Sequence, residues 1–216
     1  PLYLYDNADI AVDPAVPHIH THQVKALSRL DFVRGIKVSA RRKVLGDYIR
    51  AAATFRDRGA FGIYVGNAML IFHIFRPRTR WLGAFSSRYQ RWRLGGGLPI
   101  GVVAGPANAL PREWARAWQV SRAGDAERMG ACKRVFEAFR QASEVAGGSR
   151  GIACMKRALV QRGVVSSGAV APGTPELAPD EAEAFDAAFR EIRELAQDLV
   201  GAPWLSEWPD FDGGTG

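Results

Sequence analysis

Four short apolar runs, Leu2–Tyr5, Phe32–Val38, Phe61–Val65 and Ile100–Ala104, have the length and the β-branched and aromatic content of strands. Between them the apolar positions move to helical spacing. That predicts helices over His22–Leu30 and Val44–Phe55, with a third from Met69 to Phe75. Strand and helix in alternation argue for parallel βα units. Four such units are too few to close an eight-stranded barrel, which takes about 250 residues.

After Pro111 the pattern is helical throughout. "REWARAWQVSRAG" reads as a helix ending near Gly124, and Asp125 is a good cap for "AERMGACKRVFEAFRQASEVAGG", which ends at paired glycines. "GIACMKRALVQRG" is a shorter helix. A last one starts at Pro179-Asp180, with Phe185, Phe189, Ile192, Leu195 and Leu199 as its apolar stripe. The expected organisation is therefore βα units over 1–124, a helical region over 125–203 and a tail over 204–216, aromatic at first and then glycine-rich. There is no internal repeat at the periods of solenoid proteins.

Composition changes this picture little. The chain has 216 residues, 47% hydrophobic and 24% charged, as in ordinary globular proteins. A net charge of +7 favours anionic partners, whether carboxylate substrates, phosphates or nucleic acid. Cys132 and Cys154 lie in helical contexts without CxxC spacing, which reads as packed, reduced thiols in a cytoplasmic protein. No signal-peptide pattern and no apolar run long enough to span a bilayer is present, so no membrane partner is expected. The chain opens at Pro1, without methionine, directly into a strand. The expectation is a chain from which residues have been removed, or a C-terminal fragment.

Two surface signals are weighed against chemistry. In "HIHTH", His18, His20 and His22 would share a face only if extended; the segment leads into a helix, so a surface loop is expected rather than a metal site. The segment Arg76–Pro99 holds six arginines, no acidic residue, and Trp81, Tyr89 and Trp92 among them. Basic residues interleaved with aromatics suit nucleic-acid backbones and base stacking. A subunit contact or a cationic rim that attracts an acidic substrate ranks ahead of that reading.

The residue that demands an explanation is Lys37, set among Val33, Ile36 and Val38 in "VRGIKVS". A lysine in a buried strand is costly unless it is paired, snorkels out, or gives up its charge. Isolated, Gly-Ile-Lys would signify a strand-end lysine in solvent.

In company it means more. "PLYLYDN", "VRGIKVS", "FGIYVGN" and "IGVVAGPANALP" resemble, in order and spacing, strands five to eight of the dihydrodipicolinate synthase and N-acetylneuraminate lyase family, the class I Schiff-base aldolases. "REWARAWQVSRAGDAERMGACKRVFEAF" resembles that family's eighth helix and the start of its C-terminal helices, and Lys156 falls where the family has a lysine in its penultimate helix. The resemblance covers roughly residues 1–200 but only the second half of the family's length. It implies an α/β fold, the second half of a (β/α)8 TIM barrel followed by a C-terminal helical layer.

By that resemblance Lys37 is the Schiff-base lysine and Tyr5 the phenol that relays protons. The backbone at Val103 would lie against the substrate's carboxylate end, with Gly66 and Asn67 also at the substrate. The implied activity is reversible aldol cleavage of a 2-keto acid, with pyruvate or a related keto acid as one product. It needs no metal or organic cofactor, because the iminium is the electron sink. Family members are commonly tetramers or dimers, so a homo-oligomer is expected. The physical reading agrees: Tyr5 and Lys37 both sit at C-terminal strand ends, where barrels of this kind carry their chemistry, on consecutive strands about 5 Å apart.

The pattern also departs from the family. Its carboxylate-binding Gly-x-x-Gly-Glu loop, which belongs to the first half, is not found. Five residues after Tyr5, where dihydrodipicolinate synthases carry an arginine, stands Ile10, and Asn67 replaces the usual acidic residue after Gly66. Ile10 counts against dihydrodipicolinate synthesis, and Tyr5-Asp6-Asn7 resembles relatives that cleave 2-keto-3-deoxy sugar acids, while the absent loop implies a missing N-terminal half or a partner chain that supplies strands one to four. A non-catalytic or split-enzyme relative is the alternative, and a basic nucleic-acid-binding protein the third.

Overall fold

A computed structural model describes residues 1–52, 61–76, 99–145 and 150–201. The chain divides into two compact units, Pro1–Ala104 and Gly105–Gly216. The helix at 111–123, which the sequence groups with the βα units, thus belongs to the second.

The first unit is a four-stranded parallel sheet in chain order: β1 Leu2–Asn7, β2 Val33–Ser39, β3 Gly62–Val65 and β4 Gly101–Val102. Helices α1 Thr21–Leu27 and α2 Arg42–Ala52 make the first two connections. A 3-10 turn, Ala68–Leu70, runs into the short α3, Ile71–Ile74. Each strand begins within about one residue of its sequence expectation. β1 and β2 run further, to Asn7 and Ser39, while β4 stops at Val102.

Strand alternation gives the sheet two unlike faces. Register places Leu4 beside Ile36 and Ile36 beside Ile63, then Asp6 beside Val38 and Val38 beside Val65. Ile36, Val38, Ile63 and Val65 are buried, as are Val24 of α1 and Leu45, Tyr48, Ile49 and Ala52 of α2. The α2 residues recur at helical spacing, so α2 is held by one apolar stripe rather than by intrinsic propensity. The other face carries Tyr3, Tyr5 and Asn7, then Gly35, Lys37 and Ser39, then Gly62, Tyr64 and Gly66, then Gly101.

The second unit is helical: α4 Pro111–Ala123, α5 Ala126–Val145, α6 Gly151–Gln161 and α7 Pro179–Gly201. Proline opens α4, and Gly124 closes it at φ 75°, a conformation that glycine adopts without a Cβ penalty. Asp125 then caps α5, accepting from the Arg128 amide at 3.0 Å. Trp114 stacks on Phe136, and Phe139, Phe185 and Phe189 form a cluster with centroids about 6 Å apart. Ala196, not Leu195, completes the buried stripe of α7; Leu195 is exposed. Either spacing, three or four residues on from Ile192, fits a helical period, and the helix's rotation decided between them. Arg157 of α6 grips Asp186 of α7 through Nε (2.8 Å to Oδ1) and Nη2 (2.5 Å to Oδ2), and Gln161 adds 2.7 Å to the same carboxylate.

Candidate active site

The register row Tyr5–Lys37–Tyr64–Gly101 crosses all four strands. The side chain of Lys37 does not snorkel away from the sheet. Its Nζ lies 4.2 Å from the centroid of the Tyr5 ring. The Tyr5 hydroxyl accepts from Ser39 Oγ at 3.2 Å and from Asn7 Nδ2 at 3.3 Å. The Asn7 amide is itself turned by its oxygen, which accepts from the Asp9 amide at 3.3 Å. The phenol therefore sits below its ordinary pKa. The Ser39 hydrogen bond is the largest cause; partial burial opposes it, and Lys37 and Asn7 add to the lowering.

Ser39 reaches Tyr5 because Gly66 leaves room for it. A Cβ at Gly66 would lie 2.1 Å from Ser39 Oγ and 3.0 Å from the Ser39 N and Cα. Gly66 also donates its amide to the Val38 carbonyl at 2.8 Å. Asn67, exposed, precedes the 3-10 turn, and its side chain makes no capping bond. Val103 commits its amide to the Val65 carbonyl at 2.9 Å. Ile10 ends the 3-10 turn that follows β1 and is 61% exposed.

On the helix side of the same strand end, Asp6 is 2% exposed. Its carboxylate accepts from the Ile19 amide at 3.0 Å and meets His18 Nδ1 at 3.0 Å. Tyr48 donates to the Ile19 carbonyl at 2.5 Å, and burial, reinforced by the Asp6 charge, pushes its phenol well above the ordinary range. Asp6 thus folds the β1–α1 loop back onto the strand that carries Tyr5. Nothing local in the chain signals this: His18 reads as part of a surface "HIHTH". His20 and His22 stack at 5.4 Å at the start of α1, where the Gln23 side chain accepts from the His20 amide. Among the described residues no group of three or more His, Cys, Asp or Glu is placed to hold a metal, and no helix is long and apolar enough to cross a membrane. The Arg-rich segment lies, apart from Arg76 and Pro99, outside the described residues.

Several solved structures are similar to the chain. Dihydrodipicolinate synthase from Bacteroides thetaiotaomicron superposes with a TM-score of 0.69 at 18% identity. The fold is shared with that synthase over 88% of this chain. KD(P)GA from T. tenax gives 0.62 at 18% identity over 90%, and 4-hydroxy-tetrahydrodipicolinate synthase from Methylacidiphilum fumariolicum SolV gives 0.60 at 16% over 93%. In each case the chain spans little more than half of the similar protein, 56%, 56% and 57% respectively. No family model matches the chain, and no curated protein does.

Proposed function

We propose that the protein is a Schiff-base-forming aldolase or lyase that reversibly cleaves a 2-keto acid. The observation that carries this reading is the Lys37 amine held over the Tyr5 ring, with the phenol's pKa lowered by Ser39, at the ends of adjacent parallel strands. The fold shared with dihydrodipicolinate synthase and KD(P)GA supports it.

In this mechanism the neutral Lys37 amine attacks the keto carbon, and loss of water gives an iminium. Tyr5, as phenolate, takes the proton of the substrate hydroxyl. The C–C bond then breaks, its electron pair entering the iminium to form an enamine while the aldehyde leaves. Protonation of the enamine and addition of water release the keto acid and return the free amine. Ser39 and Asn7 hold the phenolic oxygen in place, and a phenol below its ordinary pKa is more readily the base. The carbonyl of Val103 and the turn at Gly66-Asn67 lie at strand ends suited to substrate contact. The Ile10 position favours keto-acid cleavage over a second-substrate carboxylate site.

The experiment is intact-mass analysis after incubation with pyruvate and borohydride. A reduced adduct mapping to Lys37, and absent from Lys37→Ala, is the expected result. No adduct on a chain of verified full length would overturn the reading. A second reading is a non-catalytic or split-enzyme relative of the same family. It would be supported if Lys37→Ala retained full biological activity.

A further inference from the structure

Helix α7 does not follow α6 directly. Residues 162–178 join them with neither helix nor strand. Connections longer than about 12–15 residues without secondary structure are uncommon in a compact domain, and an ordered one is usually functional. This one is pinned. Lys156 Nζ donates to the Ala169 carbonyl at 2.6 Å, the Ala169 amide donates to Ser167 Oγ at 3.1 Å, and the Ala178 amide donates to the Glu181 carboxylate at 2.7 Å.

Between this segment and the two helices lies a cavity of about 310 Å³, at the lower end of the size range of small-molecule sites. It is lined by Ala153 and Arg157 of α6, Ala182 of α7, and Val170, Glu176 and Leu177 of the segment. Short side chains at 153 and 182 leave the space open. The two charged groups on its wall are of opposite sign. Arg157 commits Nε and Nη2 to Asp186, which leaves Nη1 without a partner among the described residues. Glu176 is exposed, and its carboxylate makes no hydrogen bond or ion pair among the described residues. The neighbouring carboxylates are engaged, Glu181 by Arg150 and Asp186 by Arg157 and Gln161.

That wall selects a charge pattern. A simple anion on Arg157 would face the Glu176 carboxylate, and a simple cation on Glu176 would face the guanidinium. A ligand that carries both charges satisfies both groups with charge-assisted hydrogen bonds. What is left of the lining, Ala153, Val170, Leu177 and Ala182, is apolar and suits an aliphatic group of modest size.

We propose that this cavity binds a free α-amino acid with an aliphatic side chain. Its carboxylate sits on Arg157, its ammonium on Glu176, and its side chain among Ala153, Val170, Leu177 and Ala182. The site lies wholly within the helical unit and does not rest on the Schiff-base reading.

The test is isothermal titration calorimetry on the full natural chain with L-leucine, against leucinamide, which lacks the carboxylate, and 4-methylpentanoate, which lacks the amine. Leucine is expected to bind saturably at one site per chain. Each truncated ligand should bind about tenfold more weakly or worse, the loss of one hydrogen-bonded charge. Glu176→Gln breaks no bond within the protein; it should weaken leucine by about tenfold and leave 4-methylpentanoate no weaker, since that ligand has no ammonium to lose. Ala182→Leu should abolish leucine binding by filling the cavity, and if that variant does not fold, Glu176→Gln carries the test alone. No saturable leucine binding would overturn the proposal. So would a truncated ligand that binds as well as leucine, because the paired charges would then select nothing. Leucine affinity unchanged in Glu176→Gln would put the ligand elsewhere and reject the site.

Discussion

Gly66→Ala joins the fold and the chemistry in one substitution. The new Cβ would lie 2.1 Å from Ser39 Oγ and 3.0 Å from Ser39 N and Cα, where ordinary contact begins at 3.4 Å. The backbone contacts need a few tenths of an ångström of give. The hydroxyl must withdraw by more than an ångström, and it cannot do so and still hold its 3.2 Å hydrogen bond to Tyr5. Overpacking of this kind costs about 1–3 kcal/mol, and the lost hydrogen bond about 1 kcal/mol more. Reduced freedom of the unfolded chain returns about 0.4–1 kcal/mol, leaving a net loss of about 2 kcal/mol.

A double-mutant cycle in urea isolates the cause. Ser39→Ala removes the colliding oxygen, so the pair Gly66→Ala and Ser39→Ala should lose less than the two single losses combined, by about 1 kcal/mol. The phenol gives a second readout. Both single variants should raise the Tyr5 pKa toward its ordinary value, seen in ultraviolet titration as a difference against Tyr5→Phe, because the Ser39 bond is the largest cause of its lowering. Tyr5 titrates lower in the folded than in the unfolded chain, so its share of stability is present above the unfolded value and lost as pH falls through the folded one. The penalty of Ser39→Ala should accordingly grow from neutral pH to about pH 10.5. Additive losses together with an unmoved phenol titration would refute the steric chain from Gly66 through Ser39 to Tyr5.

Further predictions concern the groups around that chain. Asp6→Ala removes the buried acceptor of the Ile19 amide and the partner of His18, and should cost about 3 kcal/mol in denaturant unfolding. Asp186 titrates below its ordinary value: partial burial raises it, but the hydrogen bonds from Arg157 and Gln161 outweigh that. Its contribution is present above the unfolded carboxylate value and lost as pH falls through the folded one, so the stability gap between wild type and Asp186→Asn should close on acidification below about pH 4. Burial pushes the Cys132 thiol up to about 11 and raises that of Cys154. An aromatic disulfide reagent at about pH 8 should therefore label neither in the native protein and both in denaturant.

The strands and most helices were legible because each relies on a local period. Tyr5 and Lys37 could be singled out because both stand in short motifs, and the structure places both at strand ends. Ser39, by contrast, matters through register, being paired with Asn7 across the sheet and pressed by Gly66 from the next strand. Asp6 read as the middle of Tyr-Asp-Asn; its partner His18 lies twelve residues on, and only the folded loop brings them together. Tyr64 looked like one more strand former. Its ring packs against three glycines on three strands, and no short window of sequence contains them together.

These residues together explain the lysine. Parallel sheets usually bury both faces, and a barrel interior that serves only as core is filled with bulky branched side chains. The helix-covered face follows that rule, with Ile36, Val38, Ile63 and Val65 buried and Asp6 its one buried charge on the described strands. The opposite face breaks it at nearly every position. Gly35, Gly62, Gly66 and Gly101 withhold side chains, Ser39 and Asn7 point hydrogen bonds at one phenol, and Tyr3 and Tyr5 remain 52% and 41% exposed. A snorkelling lysine would need none of this, since water alone would satisfy its ammonium. The glycines, the oriented phenol and the Tyr3–Tyr64 pair are arranged around the Lys37 amine, which is what the proposed Schiff-base chemistry asks of this face.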